Sequence, residues 1–66
     1  MNNREKIYAA ITRAMQDDER DGLPASVYVT GLTGTRAEID AAALEASAYV
    51  QEYSEHNGSA MVGCIP

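Results

Sequence analysis

The stretch SVYVTGLTGTRAE, residues 26–38, contains three successive structural signals. Residues 26–30 are rich in β-branched and aromatic side chains, which is typical of a strand. Residues 31–34 contain two glycines and predict a turn. Thr35 and Glu38 have the spacing of a capping box, so a helix is predicted to begin at Thr35. The stretch therefore predicts a strand, a tight connection and a helix in succession.

C-terminal to this stretch, the helix is predicted to continue to Glu55 or His56, where Asn57 and a left-handed Gly58 form a typical stop signal. At about 100° per residue, its positions form a broad apolar face and a smaller apolar strip nearly opposite. The broad face, assigned to the core, contains Ile39, Ala42, Ala43, Ala46, Tyr49, Val50 and Tyr53. The smaller strip, expected to meet either the first helix or a partner, contains Ala37, Ala41, Leu44 and Ala48.

The remaining segments complete a prediction of four elements. Residues 3–20 predict a first helix, with Asn2 and Glu5 at capping-box spacing and a stop at Gly22 and Pro24. Residues 60–65 predict a short second strand. The predicted fold class is a small single-domain α+β protein, residues 1–66, with two helices packed on a two-stranded sheet in α-β-α-β order. Because such a sheet is barely stable alone, it is expected to be supported by both helices on one face, or by a second copy or a partner that adds strands at an open edge.

Composition excludes several classes of site. The 66 residues include one cysteine, Cys64, and one histidine, His56. An internal disulfide and a structural zinc site are therefore excluded, and no metal or cofactor is expected. The hydrophobic fraction of 45% is normal for a globular domain. No apolar run is long enough to span a membrane and the N-terminus does not resemble a signal peptide, so a cytoplasmic protein without membrane partners is expected.

Charge is distributed unevenly along the chain. The net charge is −5, and all five Lys and Arg residues lie within residues 1–36. Residues 37–66 contain five acidic residues and no Lys or Arg. Direct nucleic-acid binding usually needs a basic surface, so it is not expected here. An acidic surface instead attracts basic proteins.

Two groups of acidic residues are the candidate partner-binding residues. The stretch QDDERDG, residues 16–22, places four acids at the predicted end of the first helix, where cations are normally favoured. These are Asp17, Asp18, Glu19 and Asp21; they lack the spacing of a calcium loop, and a solvated helix end is the alternative explanation. Glu38, Glu45 and Glu52, at i, i+7 and i+14, predict an acidic stripe along the second helix. We expect both groups to form one negative face.

Other motifs have simpler explanations. The strand, glycine turn and helix start over residues 29–36 could bind a phosphate, but a well-capped connection is favoured. Cys64 and His56 could act as nucleophile and base, yet no orienting acid accompanies them, so no catalytic residues are expected. Cys64 is expected to be buried in a strand and His56 to lie near a helix C-terminus. Tyr8, Tyr49 and Tyr53 are open to two interpretations, as core residues or as interface anchors.

In its small size, acidic charge and acidic helix stripe, the chain resembles phage-encoded inhibitors of host defence, the anti-CRISPR and anti-restriction proteins. The resemblance implies a non-enzymatic inhibitor in the host cell cytoplasm, with carboxylates where phosphates otherwise bind. Its partner would be a basic nucleic-acid-binding protein, with a CRISPR surveillance complex as the leading candidate. The alternative is a homodimeric structural or regulatory module without nucleic-acid mimicry.

Overall fold

The described part of the chain has an α+β fold, with two helices and a three-stranded antiparallel sheet. The structure is a computed structural model that describes residues 2–17 and 26–65. Within these ranges, the helices are α1 (Asn3–Asp17) and α2 (Arg36–Glu45), and the strands are β1 (Val27–Val29), β2 (Ala48–Ser54) and β3 (Ser59–Cys64). The strand order is β1-β3-β2, so β3 is the central strand.

Both predicted helix starts are confirmed. Asn2 Oδ1 accepts a hydrogen bond from the backbone N–H of Glu5 at 2.8 Å, which caps α1. The Thr35 side chain accepts from the backbone N–H of Glu38, and the Glu38 side chain accepts from the N–H of Thr35, both at 3.3 Å. This is the reciprocal capping box that the sequence predicts. The predicted end of the first helix at residue 20 lies outside the described residues.

The second helix is much shorter than predicted, and its expected continuation is strand β2. The helix ends at Glu45, and Ser47 adopts a left-handed conformation with φ of 57°, which is uncommon for a residue other than glycine. Residues 48–54 then pair antiparallel with β3. The predicted helix to residue 55 or 56 is therefore wrong. The sheet has three strands instead of two, and the element order is α-β-α-β-β.

The connection between β2 and β3 is a tight turn at residues 55–58. Gly58 has the predicted left-handed conformation, with φ of 63°, but it closes a hairpin instead of capping a helix. Its carbonyl accepts a hydrogen bond from the backbone N–H of Leu32 at 2.8 Å. This bond joins the hairpin to the loop that precedes α2, and Leu32 is itself buried.

Both helices pack on the same face of the sheet, where the core lies. Ile7 of α1, Ile39 of α2 and Val62 of β3 are fully buried, and burying each such side chain contributes about 1.5–3 kcal/mol. The other buried apolar residues are Ile11, Val27, Val29, Leu32, Ala42, Ala43, Ala48 and Ala60. Because side chains alternate across a strand, residues between these inward positions point to the opposite face of the sheet, which neither helix covers.

The N-terminus of α1 is held against the loop between β1 and α2. The Asn3 amide donates to the carbonyl of Thr33 at 2.6 Å and accepts from the N–H of Thr33 at 3.1 Å. The Lys6 ammonium donates to the carbonyl of Gly31. The Tyr53 hydroxyl, reaching from β2, donates to the carbonyl of Gly34 at 2.9 Å. These contacts link α1, β2 and the loop, and they fix the position at which α2 begins.

Candidate functional site

The surface that neither helix covers is an exposed face of the sheet, here called the open sheet face. It is formed by Tyr28 of β1, Met61 and Gly63 of β3, and Tyr49 and Glu52 of β2. The strand register pairs Met61 with Tyr28 on one side and with Glu52 on the other. Tyr49 pairs with Gly63. The side chain of Tyr28 is 61% exposed and that of Tyr49 is 49% exposed, so two aromatic rings on this face are accessible to a partner.

Hydrogen bonds connect the edges of this face. The Ser26 hydroxyl donates to Oε1 of Gln51 at 2.8 Å, and Nε2 of Gln51 donates to the Tyr49 hydroxyl at 3.3 Å. Since β3 lies between β1 and β2, this chain of side chains crosses the central strand. The Tyr49 ring lies over Gly63, where a Cβ would come within 2.5 Å of the ring Cζ. Tyr49 is thereby held in a defined position at the surface.

The strands that form the open sheet face carry negative charge and no basic side chain. The three strands and the turn between β2 and β3 contain Glu52, Glu55 and no Lys or Arg. Outside the strands, Arg36 at the start of α2 forms an ion pair with Asp40 at 3.0 Å, and two basic residues of α1 line a hollow beside β1. No basic residue of the strands therefore neutralises the charge of Glu52 on this face.

The predicted acidic stripe along the second helix does not form. Glu38 and Glu45 are exposed on α2, two turns apart, but Glu52 lies in β2 on the open sheet face. Because α2 packs on the other face of the sheet, Glu52 points away from Glu38 and Glu45. The predicted continuous stripe is therefore wrong, since it required one helix over all three positions. A partner-binding role for the individual residues stays a prediction.

The acidic cluster that follows α1 is only partly covered by the described residues. Asp17 is the last residue of α1. The side chain of Asp17 and the whole of Asp18, Glu19 and Asp21 lie outside the described part of the chain. The role of these four residues stays a prediction, as does the expectation that they form one face with Glu38, Glu45 and Glu52.

Several backbone N–H groups that a phosphate would need in the segment before α2 already donate to other groups. The N–H of Thr33 donates to Asn3, and the N–H of Glu38 donates to the Thr35 hydroxyl. The Glu38 carboxylate accepts from the Thr35 N–H and hydroxyl at 3.3 and 3.2 Å. A carboxylate thus occupies the helix start that a phosphate would otherwise take. Residues 29–36 are therefore best explained as a capped connection.

Cys64 and His56 lie at opposite ends of the hairpin. Cys64 pairs with Ala48 at the end remote from the turn, whereas His56 is exposed within the turn. A nucleophile and base acting together would have to be within hydrogen-bond reach, so this arrangement contradicts that alternative. His56 is in a hairpin turn instead of near a helix C-terminus. Partial burial raises the pKa of the Cys64 thiol, which disfavours the nucleophilic thiolate.

Two hollows occur beside α1, and the one along β1 includes Tyr28 of the open sheet face in its lining. One, of about 540 Å³, runs between α1 and β1 and is lined in part by Lys6 and Arg13. The other, of about 400 Å³, lies where the start of α1 approaches the end of α2 and is lined in part by Tyr8 and Glu45.

Over residues 2–17 and 26–65, no group of three or more His, Cys, Asp and Glu side chains is arranged to hold a metal ion. Neither described helix has the length and apolar character needed to cross a bilayer.

Sequence reasoning missed part of this site and misplaced another part. Tyr28 was not expected to bind a partner, although alternation across Val27, Tyr28 and Val29 places it opposite the buried valines. Tyr49 is predicted to lie on a helix, as a core residue or as an interface anchor, whereas it is an exposed strand residue. Tyr53 does pack against the core, as expected. The pattern in β1 was therefore sufficient to find Tyr28, but no local pattern placed Tyr49 next to Gly63.

No protein-family model, no curated protein and no solved structure matches this chain.

Proposed function

We propose that the protein is a small, non-enzymatic binding module that docks on a basic protein surface and blocks nucleic acid from binding there. One observation carries the proposal: exposed Tyr28 and Tyr49 share a sheet face with Glu52, and the three strands contain no basic residue. A surface of this composition is complementary to one rich in arginine and lysine.

Exposed aromatic rings and negative charge both favour binding to a basic surface. Exposed tyrosines bury a large area at an interface and attract cations to the faces of their rings, which favours Arg and Lys as contacts. The net charge of −5 accelerates encounter with a positively charged partner. Nucleic-acid-binding surfaces are rich in Arg and Lys because they contact phosphates. The same surfaces would therefore attract this protein and be occupied by it.

The class of partner follows from the resemblance to anti-CRISPR and anti-restriction inhibitors. We propose a basic nucleic-acid-binding protein of a host defence system, with a CRISPR surveillance complex as the first candidate, and action in the host cell cytoplasm. Glu52 and the tyrosines would contact the nucleic-acid path directly. Glu38, Glu45 and the acids of residues 17–21 would add long-range attraction from other sides of the molecule.

Affinity capture tests this proposal. Tagged wild-type protein is used to capture partners from a bacterial lysate in low and high salt, with the captured proteins identified by mass spectrometry. The test variant is Tyr28→Ser/Tyr49→Ser/Glu52→Gln, and the matched control Tyr8→Ser/Glu5→Gln changes an exposed tyrosine and a glutamate of α1. The purified captured protein is then assayed for binding of labelled DNA in the presence of each variant.

The proposal predicts that the captured protein is basic, that high salt or competitor DNA releases it, and that wild-type protein displaces DNA from it. The test variant should lose capture and displacement, while the control retains both. Equal capture by the test variant and wild type would contradict the assignment to the open sheet face. Displacement of DNA that is insensitive to salt would contradict the electrostatic basis.

A homodimeric module is the second candidate function, favoured by the two edge strands of the sheet. Among the described residues, β1 and β2 each pair on one side only, with β3, so each leaves backbone groups on an edge where a second copy could add. Sedimentation equilibrium at micromolar concentration distinguishes the candidates. A dimer mass that persists in high salt would support self-association, and a monomer mass would leave the basic-partner proposal as the sole candidate.

A further inference from the structure

We infer that the row formed by Tyr28, Met61 and Glu52 is a subsite that recognises an arginine side chain of the partner. The inference rests on the proposed function and specifies which basic residue the open sheet face selects. The three residues occupy directly opposed positions on β1, β3 and β2. Their side chains therefore project from one face of the sheet in a single line.

The spacing of the row suits a guanidinium group. Adjacent strands lie about 4.8 Å apart, so the backbones of Tyr28 and Glu52 are separated by roughly 10 Å across Met61. Met61 is half-buried and forms an apolar floor between them. A planar cation above Met61 would have the Tyr28 ring on one side and the Glu52 carboxylate on the other.

The side chains at both ends of this row are available to a ligand. Neither the Tyr28 hydroxyl nor the Glu52 carboxylate forms a hydrogen bond or ion pair within residues 2–17 and 26–65, and both residues are exposed. Tyr49, by contrast, has its hydroxyl engaged by Gln51 and its ring seated on Gly63. Tyr49 therefore forms a fixed apolar wall beside the row, whereas Tyr28 and Glu52 can turn toward a cation.

Arginine fits this arrangement better than lysine does. Its guanidinium stacks on an aromatic ring and can donate two parallel hydrogen bonds to one carboxylate, whereas the compact lysine ammonium does neither. A second copy of this chain is a poorer occupant, because each copy carries a charge of −5 and would bring its own Glu52 to the same face. Phosphates of a nucleic acid would likewise be repelled by Glu52.

Two peptides of equal charge test the subsite. Both have blocked termini; one alternates arginine with serine and the other alternates lysine with serine. Binding of each fluorescently labelled peptide to the full chain is measured by fluorescence anisotropy at low salt.

The test variants are Tyr28→Leu, which keeps apolar area but removes the aromatic ring, and Glu52→Gln. The matched controls are Tyr8→Leu on α1 and Glu55→Gln in the hairpin turn. Thermal melting confirms that each variant folds.

We expect wild-type protein to bind the arginine peptide about two- to fivefold more tightly than the lysine peptide, the range for a cation over an exposed aromatic ring. Tyr28→Leu and Glu52→Gln should each remove that preference, and both controls should retain it. Equal binding of the two peptides by wild-type protein, or a preference that survives both test variants, would overturn the subsite while leaving the proposed function intact. Binding of neither peptide would contradict the proposed function as well.

Discussion

The ring of Tyr49 occupies the space above Gly63 on the central strand. The two residues are paired in the register of β2 and β3, and a Cβ on Gly63 would lie 2.5 Å from the ring Cζ and 2.6 Å from the hydroxyl oxygen. Such separations are far below contact distance. The lack of a side chain at position 63 therefore determines where the Tyr49 ring rests and how the open sheet face is shaped.

Substitution of Gly63 by Ala is expected to displace Tyr49 without unfolding the protein. The backbone of Gly63 is not left-handed, so alanine suits its conformation, and the half-exposed ring can rotate away. We expect the free energy of unfolding to change by less than about 1 kcal/mol, because alanine is also the better strand residue. Binding of the arginine peptide should weaken severalfold, and the near-ultraviolet circular dichroism of the tyrosines should change.

The matched control for Gly63→Ala is the same substitution in a Tyr49→Ser background. There the added Cβ meets no ring, so Gly63→Ala should not alter peptide binding further. An equal loss of binding in both backgrounds would show that Gly63 acts independently of Tyr49 and would contradict this interpretation.

Two left-handed glycines should differ sharply in their tolerance of alanine. Gly58 has φ of 63° and its Cβ would lie 2.6 Å from the carbonyl oxygen of Leu32, whereas Gly31 has φ of 77° and no atom closer than 3.8 Å. Gly31→Ala should cost about 1–2 kcal/mol for the backbone conformation alone. Gly58→Ala should cost at least about 3 kcal/mol, because the clash also breaks the bond between Leu32 and Gly58. Urea unfolding of both variants measures the difference, and equal costs would contradict the close approach.

Asn3 is expected to contribute to stability through its paired hydrogen bonds with Thr33. Asn3→Ala removes both bonds and should lower the free energy of unfolding by about 1–2 kcal/mol. Asn3→Asp tests the donating half of the pair, since it retains the acceptor for the Thr33 N–H but places a carboxylate oxygen against the Thr33 carbonyl. It should also lower the free energy of unfolding, measured in urea, by about 1 kcal/mol or more. Wild-type stability of Asn3→Ala would contradict the pairing.

The Cys64 thiol should react slowly in the folded protein. Partial burial raises its pKa, so less thiolate forms at a given pH and alkylation by iodoacetamide should be slower than in urea-unfolded protein. The folded state favours the neutral thiol, so this contribution to stability is complete below the unfolded pKa. It is lost as the pH rises through the folded pKa.

The corresponding stability measurement compares wild type with Cys64→Ser. Their difference in free energy of unfolding should shrink between about pH 7.5 and about pH 10, on either side of the ordinary thiol pKa. A difference that grows over this interval would contradict the direction of the pKa shift. Alkylation at the same rate in folded and unfolded protein would do so as well.

Much of the fold could be predicted from local signals, and the largest error has a specific physical cause. The capping residues Asn2 and Thr35 and the β-branched and aromatic composition of residues 26–30 are local signals, and the helix starts and the strand predicted from them are confirmed. The prediction failed at Ser47, which ends α2 in a left-handed conformation without the glycine that normally signals it.

An irregularity in β2 made the strand look helical. The register shifts between Val50 and Glu52, so Gln51 is an extra residue and the inward positions are 48, 50 and 53 instead of alternate residues. The spacing of three between Val50 and Tyr53 matches a helix, and the alanines before them favour one. Glu52 consequently appeared to continue a stripe from Glu45. The actual structure of residues 48–54 is determined by pairing with β3. The residues of β3 lie outside a short sequence window around β2.

The most direct test of the central claim maps the contact on the protein itself. A ¹⁵N-labelled sample is titrated with the blocked arginine–serine peptide in low and then high salt, and amide chemical shifts are followed. The account predicts that the largest changes occur at Tyr28, Tyr49, Glu52 and Met61, and that they disappear in high salt. Changes confined to the outer surfaces of α1 and α2, or changes on the sheet that high salt leaves intact, would contradict the claim that the open sheet face binds basic partners.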